Sequence, residues 1–200
     1  MTVRLCGIRI DVSYYFFALL TAFFLLEPDN ITACGALSAI IHECGHLAAM
    51  LIVPGASVER VTVSACGLRI RARLLAPRKG WSIVCIAGAA ANLLLAGLLL
   101  ICAMVCDNRF LSVFASANIC IGTVNLLPVE PMDGGQLMRA LMLRIASPEN
   151  ADRICFLVSI VTLIPLVCAG LWLLMSTQFN FSLLLLSLWL LGGVLDEYLN

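Results

Sequence analysis

The chain holds two histidines, His42 and His46, four residues apart in His42-Glu43-Cys44-Gly45-His46, within an apolar run. Residues four apart on a helix project from one face, so the two imidazoles can grip a single zinc ion, with Glu43 beside them. Catalytic zinc usually takes three protein ligands and leaves the fourth position to water. There is no other histidine, so the third ligand must be Asp, Glu or Cys. The outstanding candidate is Asp133, in Asn125-Leu126-Leu127-Pro128-Val129-Glu130-Pro131-Met132-Asp133-Gly134-Gly135. Two prolines break an apolar stretch there, and Gly134-Gly135 lets the backbone turn sharply. Two imidazoles and a carboxylate suit zinc, and iron or cobalt could occupy the same triad. The pattern points to a zinc-dependent hydrolase inside a membrane, with one ion per chain.

The surrounding composition supports the membrane. Of 200 residues, 62% are hydrophobic and 12% charged, where an ordinary soluble domain carries about 25% charged residues. Six apolar stretches stand between polar breaks, at about 12–26, 31–53, 81–105, 110–127, 154–175 and 181–195. A spanning helix needs about 20 residues. The first and last stretches are short by that measure, unless Ile8 and Ile10, or Tyr198 and Leu199, extend them. Six spans put Arg4, Arg9, the 54–80 loop, the 132–153 segment and the C-terminus on one side. That side then holds eleven of the twelve basic residues, and only Arg109 falls on the other. The positive-inside rule makes it the cytoplasm, so both termini are expected there. The fold class is an all-α polytopic membrane protein, read as a single domain, with a core over 1–150 and two further helices at about 154–195.

One segment departs from helix. Apolar and basic residues alternate from Leu68 to Leu74, Val61 and Val63 alternate with polar neighbours, and Cys66-Gly67 lies between. This period of two predicts a small β-hairpin at the cytoplasmic surface, after the zinc-binding helix. Leu68, Ile70 and Ala72 then share one side of its second strand and are candidate substrate contacts. The ten cysteines form no C-x-x-C pair and read as free thiols behaving as small hydrophobes. Formal net charge is zero, with no basic patch for nucleic acid. Arg4 and Arg9 precede the first apolar run, but no small-residue cleavage pattern follows, so that run reads as a retained anchor.

Charged groups at bilayer depth are costly unless paired and so mark function. Three such groups on nearly adjacent positions serve no packing purpose. Broken backbone at membrane depth likewise belongs where it lines a cavity or is buried in protein. If the second span exits at Val53, His46 lies ~10 Å above its cytoplasmic end. Asp133 follows the fourth span at that same end.

With these residues in hand, the sequence resembles the site-2 protease family of intramembrane zinc metalloproteases. The resemblance rests on His42-Glu43-Cys44-Gly45-His46, on the Asn125-to-Gly135 segment, and on Gly88-Ala89-Ala90-Ala91-Asn92. The last is similar to the family's Gly-Pro-x-x-Asn signature, without its proline. It implies His42, His46 and Asp133 as zinc ligands and Glu43 as the catalytic acid/base. Asn92 and Asn125 match polar positions of the motifs and are assigned positioning roles. The short build resembles the branch containing stage IV sporulation protein FB, which implies a role in regulated intramembrane proteolysis such as processing of a sporulation sigma-factor precursor. Neither a PDZ nor a CBS domain is expected. Implied partners are a transmembrane or membrane-associated protein substrate, the lipid bilayer and a regulatory membrane protein, in a bacterial cell membrane. Two rivals stand against this: a metal-ion transporter, which has no need of Glu43, and a catalytically silent membrane binding protein.

Overall fold

A computed structural model describes residues 2–5, 8–12, 30–53, 56–64, 67–74, 79–177 and 181–199. Four strands and six helices occur among them: β1 (Thr2–Leu5), β2 (Ile8–Val12), α1 (Asn30–Ile52), β3 (Ala56–Ser64), β4 (Gly67–Leu74), α2 (Lys79–Cys106), α3 (Arg109–Asn125), α4 (Asp133–Met142), α5 (Pro148–Thr177) and α6 (Ser182–Leu199). Three helical segments, Ile31–Ile52, Gly80–Cys106 and Pro148–Thr177, are long and apolar enough to cross a membrane. Their outer faces carry exposed residues such as Leu94, Leu98, Met104, Leu157 and Trp172, which mark an integral membrane protein. The sequence's first apolar stretch, 12–26, lies almost wholly outside the described residues. Its proposed extension through Ile8 and Ile10 is corrected, because Ile8–Val12 is a strand.

The chain divides into two units, Met1–Gly122 and Thr123–Asn200. In the first, the strands form one sheet in the order β1-β2-β3-β4. β1 pairs antiparallel with β2, β2 runs parallel to β3, and β3 is antiparallel to β4. A parallel pair needs a long crossover, and here α1 lies between β2 and β3 in the chain. The register sets Val3, Ile10, Val61 and Ile70 in one cross-strand row.

Helix α1 begins at Asn30, a residue type that favours helix starts, and ends at Ile52, just before Val53-Pro54. It packs along α2 through small residues. A Cβ added to Gly45 would lie 2.6 Å from the Ala87 carbonyl oxygen and 3.0 Å from Gly88 Cα. One added to Gly80 would lie 2.5 Å from Val53. Such glycines let two apolar helices approach closely where the hydrophobic effect gives no net drive. The reversal between α2 and α3 takes two residues. Asp107 adopts φ 44°, a left-handed turn that aspartate tolerates. The Asn108 side chain then accepts the Phe110 N–H at 2.9 Å and caps α3.

In the second unit, Leu126–Met132 form a tight loop and Val129, at its centre, is fully buried with Leu163, Leu190 and Val194 of α5 and α6. The two C-terminal helices therefore brace this loop. Their own crossing is close at Gly170, where an added Cβ would lie 2.9 Å from the Leu184 backbone. Sequence alone predicts a sharp turn at Gly134-Gly135. Both glycines are instead helical. A Cβ on Gly134 would strike the carbonyl oxygens of Leu126 and Leu127, and one on Gly135 would lie 2.5 Å from the Glu130 nitrogen. The glycines are there so that the preceding loop can fold back against the first turn of α4.

Eight cysteines are described and none is in a disulfide. Cys34, Cys85 and Cys155 are buried, whereas five others face outward, so only part of the set packs in the protein interior.

Candidate metal centre

His42 and His46 occupy successive turns of α1, 5% and 8% exposed. Their Nε2 atoms face one another at 3.2 Å. Two nitrogens each ~2.05 Å from a tetrahedral zinc lie about 3.3 Å apart, so the rings are already spaced as a chelating pair. Orientation comes from α2. His46 Nδ1 donates to the Val84 carbonyl oxygen at 2.8 Å, which puts the ring proton on Nδ1 and leaves the Nε2 lone pair for a metal.

Space for the two rings comes from a glycine the sequence reading did not place in the site. A Cβ on Gly88 would lie 2.5 Å from His46 Nε2 and 2.8 Å from His42 Cε1. The signal was present, since Gly88 opens the Gly88-to-Asn92 motif, but a motif does not say which neighbour a missing side chain admits. Glu43 sits half-buried beside His42, and Cys44 is exposed.

Asn92, one turn beyond Gly88, is fully buried. Its Nδ2 donates to the Ser38 carbonyl oxygen at 3.1 Å. Ser38 lies one turn before His42, so this bond ties α2 to the turn of α1 that leads into His42. Asn92 Oδ1 and Ser38 Oγ are buried without a hydrogen-bond partner among the described residues. In the second unit, Asn125 is the last residue of α3 and Asp133 the first of α4. A carboxylate at that position is favoured by the positive end of the helix dipole. Leu68, Ile70 and Ala72 lie on β4, in register with Val63, Val61 and Val58 of β3.

Comparison with known proteins bears on the fold. The family model described as Peptidase family M50 matches residues 107–166, the stretch that contains Asp133. Among solved structures, the site-2 protease from Methanocaldococcus jannaschii is similar, with a TM-score of 0.70 over 98% of this chain and 94% of that one. The fold is shared with that protease. Identity between the two is 20%, so the likeness speaks for architecture rather than for activity. Among curated proteins, none matches.

Proposed function

We propose that the chain is an intramembrane zinc endopeptidase cutting a membrane-associated protein near the cytosolic boundary. The observation that carries the reading is the pair of Nε2 atoms converging at 3.2 Å on a membrane-length helix, with Glu43 beside them. His42 and His46, with Asp133 as the third ligand that the sequence motifs imply, would hold one zinc ion. Two buried imidazoles and a carboxylate are a donor set that zinc accepts. Bound zinc supplies a Lewis acid for the scissile carbonyl and acidifies water at the site.

Glu43 accepts the proton of the attacking water and delivers it to the leaving amine nitrogen. The Val84 carbonyl keeps the proton of His46 on Nδ1, so its Nε2 would be the atom that holds the metal. Asn92 and Asn125 position the segments that carry the ligands. Helical substrate must unwind before attack, because a peptide bond inside a helix is shielded. β4 pairs only with β3 among the described residues, so its outer edge can hold the unwound stretch by strand addition, with Leu68, Ile70 and Ala72 as contacts. Six spans with both termini cytoplasmic fit the distribution of basic residues. The substrate class is a signalling protein or pro-segment released by regulated intramembrane proteolysis. A sporulation sigma-factor precursor and a gating membrane partner are what the stage IV sporulation protein FB branch suggests.

The test uses purified full-length chain in detergent, measuring zinc per chain and cleavage of transmembrane-peptide fusions. The parent should bind about one zinc and cut. Glu43→Gln should keep the metal and lose cutting, and Asp133→Ala should lose both. Zinc flux into proteoliposomes without cleavage would replace the reading with a transporter. Absence of bound metal in the parent would end it.

A further inference from the structure

Arg139 links three segments of the second unit and takes no part in the chemistry described so far. It lies on α4, six residues after Asp133. Its Nε and Nη2 stand 2.9 and 2.8 Å from the same oxygen, Oδ1 of Asp152 on α5. Its Nε also lies 3.8 Å from Glu130 Oε1. Glu130 belongs to the loop between Pro128 and Pro131 that leads into Asp133. The Arg139 and Asp152 side chains are 42% and 46% exposed, Glu130 only 16%.

The placement is specific. Gly135 and Arg139 are four apart and share one face of α4. Gly135 admits the Glu130 backbone, with its would-be Cβ 2.5 Å from the Glu130 nitrogen. One turn later Arg139 reaches the Glu130 carboxylate. The loop is thus held on one helical face at both its main chain and its side chain, and Asp152 keeps the guanidinium from swinging into solvent. On the other side, Val129 is locked in the apolar cluster with Leu163 and Leu190.

We propose that Arg139 is a positioning residue for the metal centre: anchored on Asp152, it holds Glu130 and so aims the Asp133 carboxylate. This rests on the reading of Asp133 as a zinc ligand. The Arg139–Asp152 pair is close to half exposed and adds little to global stability, and Glu130→Gln keeps a polar group of the same shape where Glu130 is largely buried. Groups hydrogen-bonded directly to a metal ligand, by contrast, are commonly worth 10–100-fold in metal affinity, and Arg139, which acts one step further out through Glu130, belongs at the low end of that range. A role in positioning therefore separates from a role in folding.

The experiment compares the parent, Arg139→Ala, Arg139→Lys, Glu130→Gln, the Arg139→Ala/Glu130→Gln double variant and His42→Ala, all as full chain in detergent. Zinc affinity is read by competition with a chromogenic chelator, coordination by the visible spectrum of cobalt-loaded protein, and folding by thermal unfolding of the metal-free form. Arg139→Ala should weaken zinc about tenfold and alter the cobalt bands, with the metal-free midpoint within about 4 °C of the parent. Lysine should recover only part of the affinity, since one ammonium cannot bridge two carboxylates as a guanidinium fork does. The double variant should bind no more weakly than Arg139→Ala alone, because both changes cut one tether. Parent-like zinc affinity and spectra in Arg139→Ala overturn the proposal, and so do losses that multiply in the double variant. If Arg139→Ala does not fold, Glu130→Gln decides by the same readouts. A parent that binds zinc and loses it in His42→Ala keeps the protease reading alive even when the Arg139 variants are silent. A parent that binds none takes down both.

Discussion

Replacing Gly88 by alanine should disable the metal centre while leaving the helix intact. In a helix interior this exchange ordinarily stabilises, by about 0.5–1 kcal/mol. Here the new Cβ would arrive 2.5 Å from His46 Nε2, 2.7 Å from its Cε1 and 2.8 Å from His42 Cε1. Ordinary contact begins near 3.4 Å, so the His46 ring must retreat by about 0.9 Å. Retreat stretches its bond to the Val84 carbonyl, now 2.8 Å, and breaks the 3.2 Å spacing of the two Nε2 atoms. Overpacking costs about 1–3 kcal/mol, which outweighs or cancels the gain in helix propensity. Misplacing a catalytic group by ~1 Å can cost about a hundredfold in rate. The assay is zinc affinity by chelator competition, with thermal unfolding of the metal-free protein alongside. Gly97→Ala on the same helix is the control, because its Cβ would meet nothing within 4 Å. It should bind zinc as the parent does and unfold at the same temperature or slightly higher. The reasoning is refuted if Gly88→Ala binds zinc as tightly as Gly97→Ala.

Leu190→Ala should lower stability by about 2–5 kcal/mol, because Leu190 is fully buried against the cluster that holds Val129; a thermal unfolding shift worth less than ~1 kcal/mol would count against that bracing. Asn92→Leu removes the bond to the Ser38 carbonyl together with an unpaired buried oxygen. Its net effect on unfolding should stay within about 1 kcal/mol, and a much larger loss would mean that Oδ1 has a partner. Proline scanned along Leu68–Leu74 should depress cleavage with zinc content unchanged, since proline removes an edge N–H. Cleavage at the parent rate throughout the scan would exclude substrate docking on β4.

Much of the design could be read without coordinates, because it follows from spacing and from the cost of polar groups in lipid. His42 and His46 share a face by helical periodicity alone, and the long apolar runs map onto α1, α2 and α5. Glu43 stands between the histidines, where a site that only binds metal would not need it. Local patterning failed where a residue's role depends on a partner distant in sequence. Gly134 and Gly135 read as a turn because glycine's freedom is visible in sequence, whereas the carbonyls of Leu126 and Leu127 pressing on α4 are not. β1 and β2 are too short to stand out beside the apolar run that follows them, and they are defined by their pairing with each other and by that of β2 with β3.

Residue types and their periods thus determined that this chain carries membrane-length apolar helices and sets two imidazoles on one helical face. Tertiary packing decided the orientation of the His46 ring, through the bond of its Nδ1 to the Val84 carbonyl, and why position 88 must lack a side chain. It also decided how the loop before Asp133 is held, through Val129, Gly135 and Arg139. Periodicity is a property of one helix; clearance and hydrogen-bond partnership belong to two, and only the folded chain sets them.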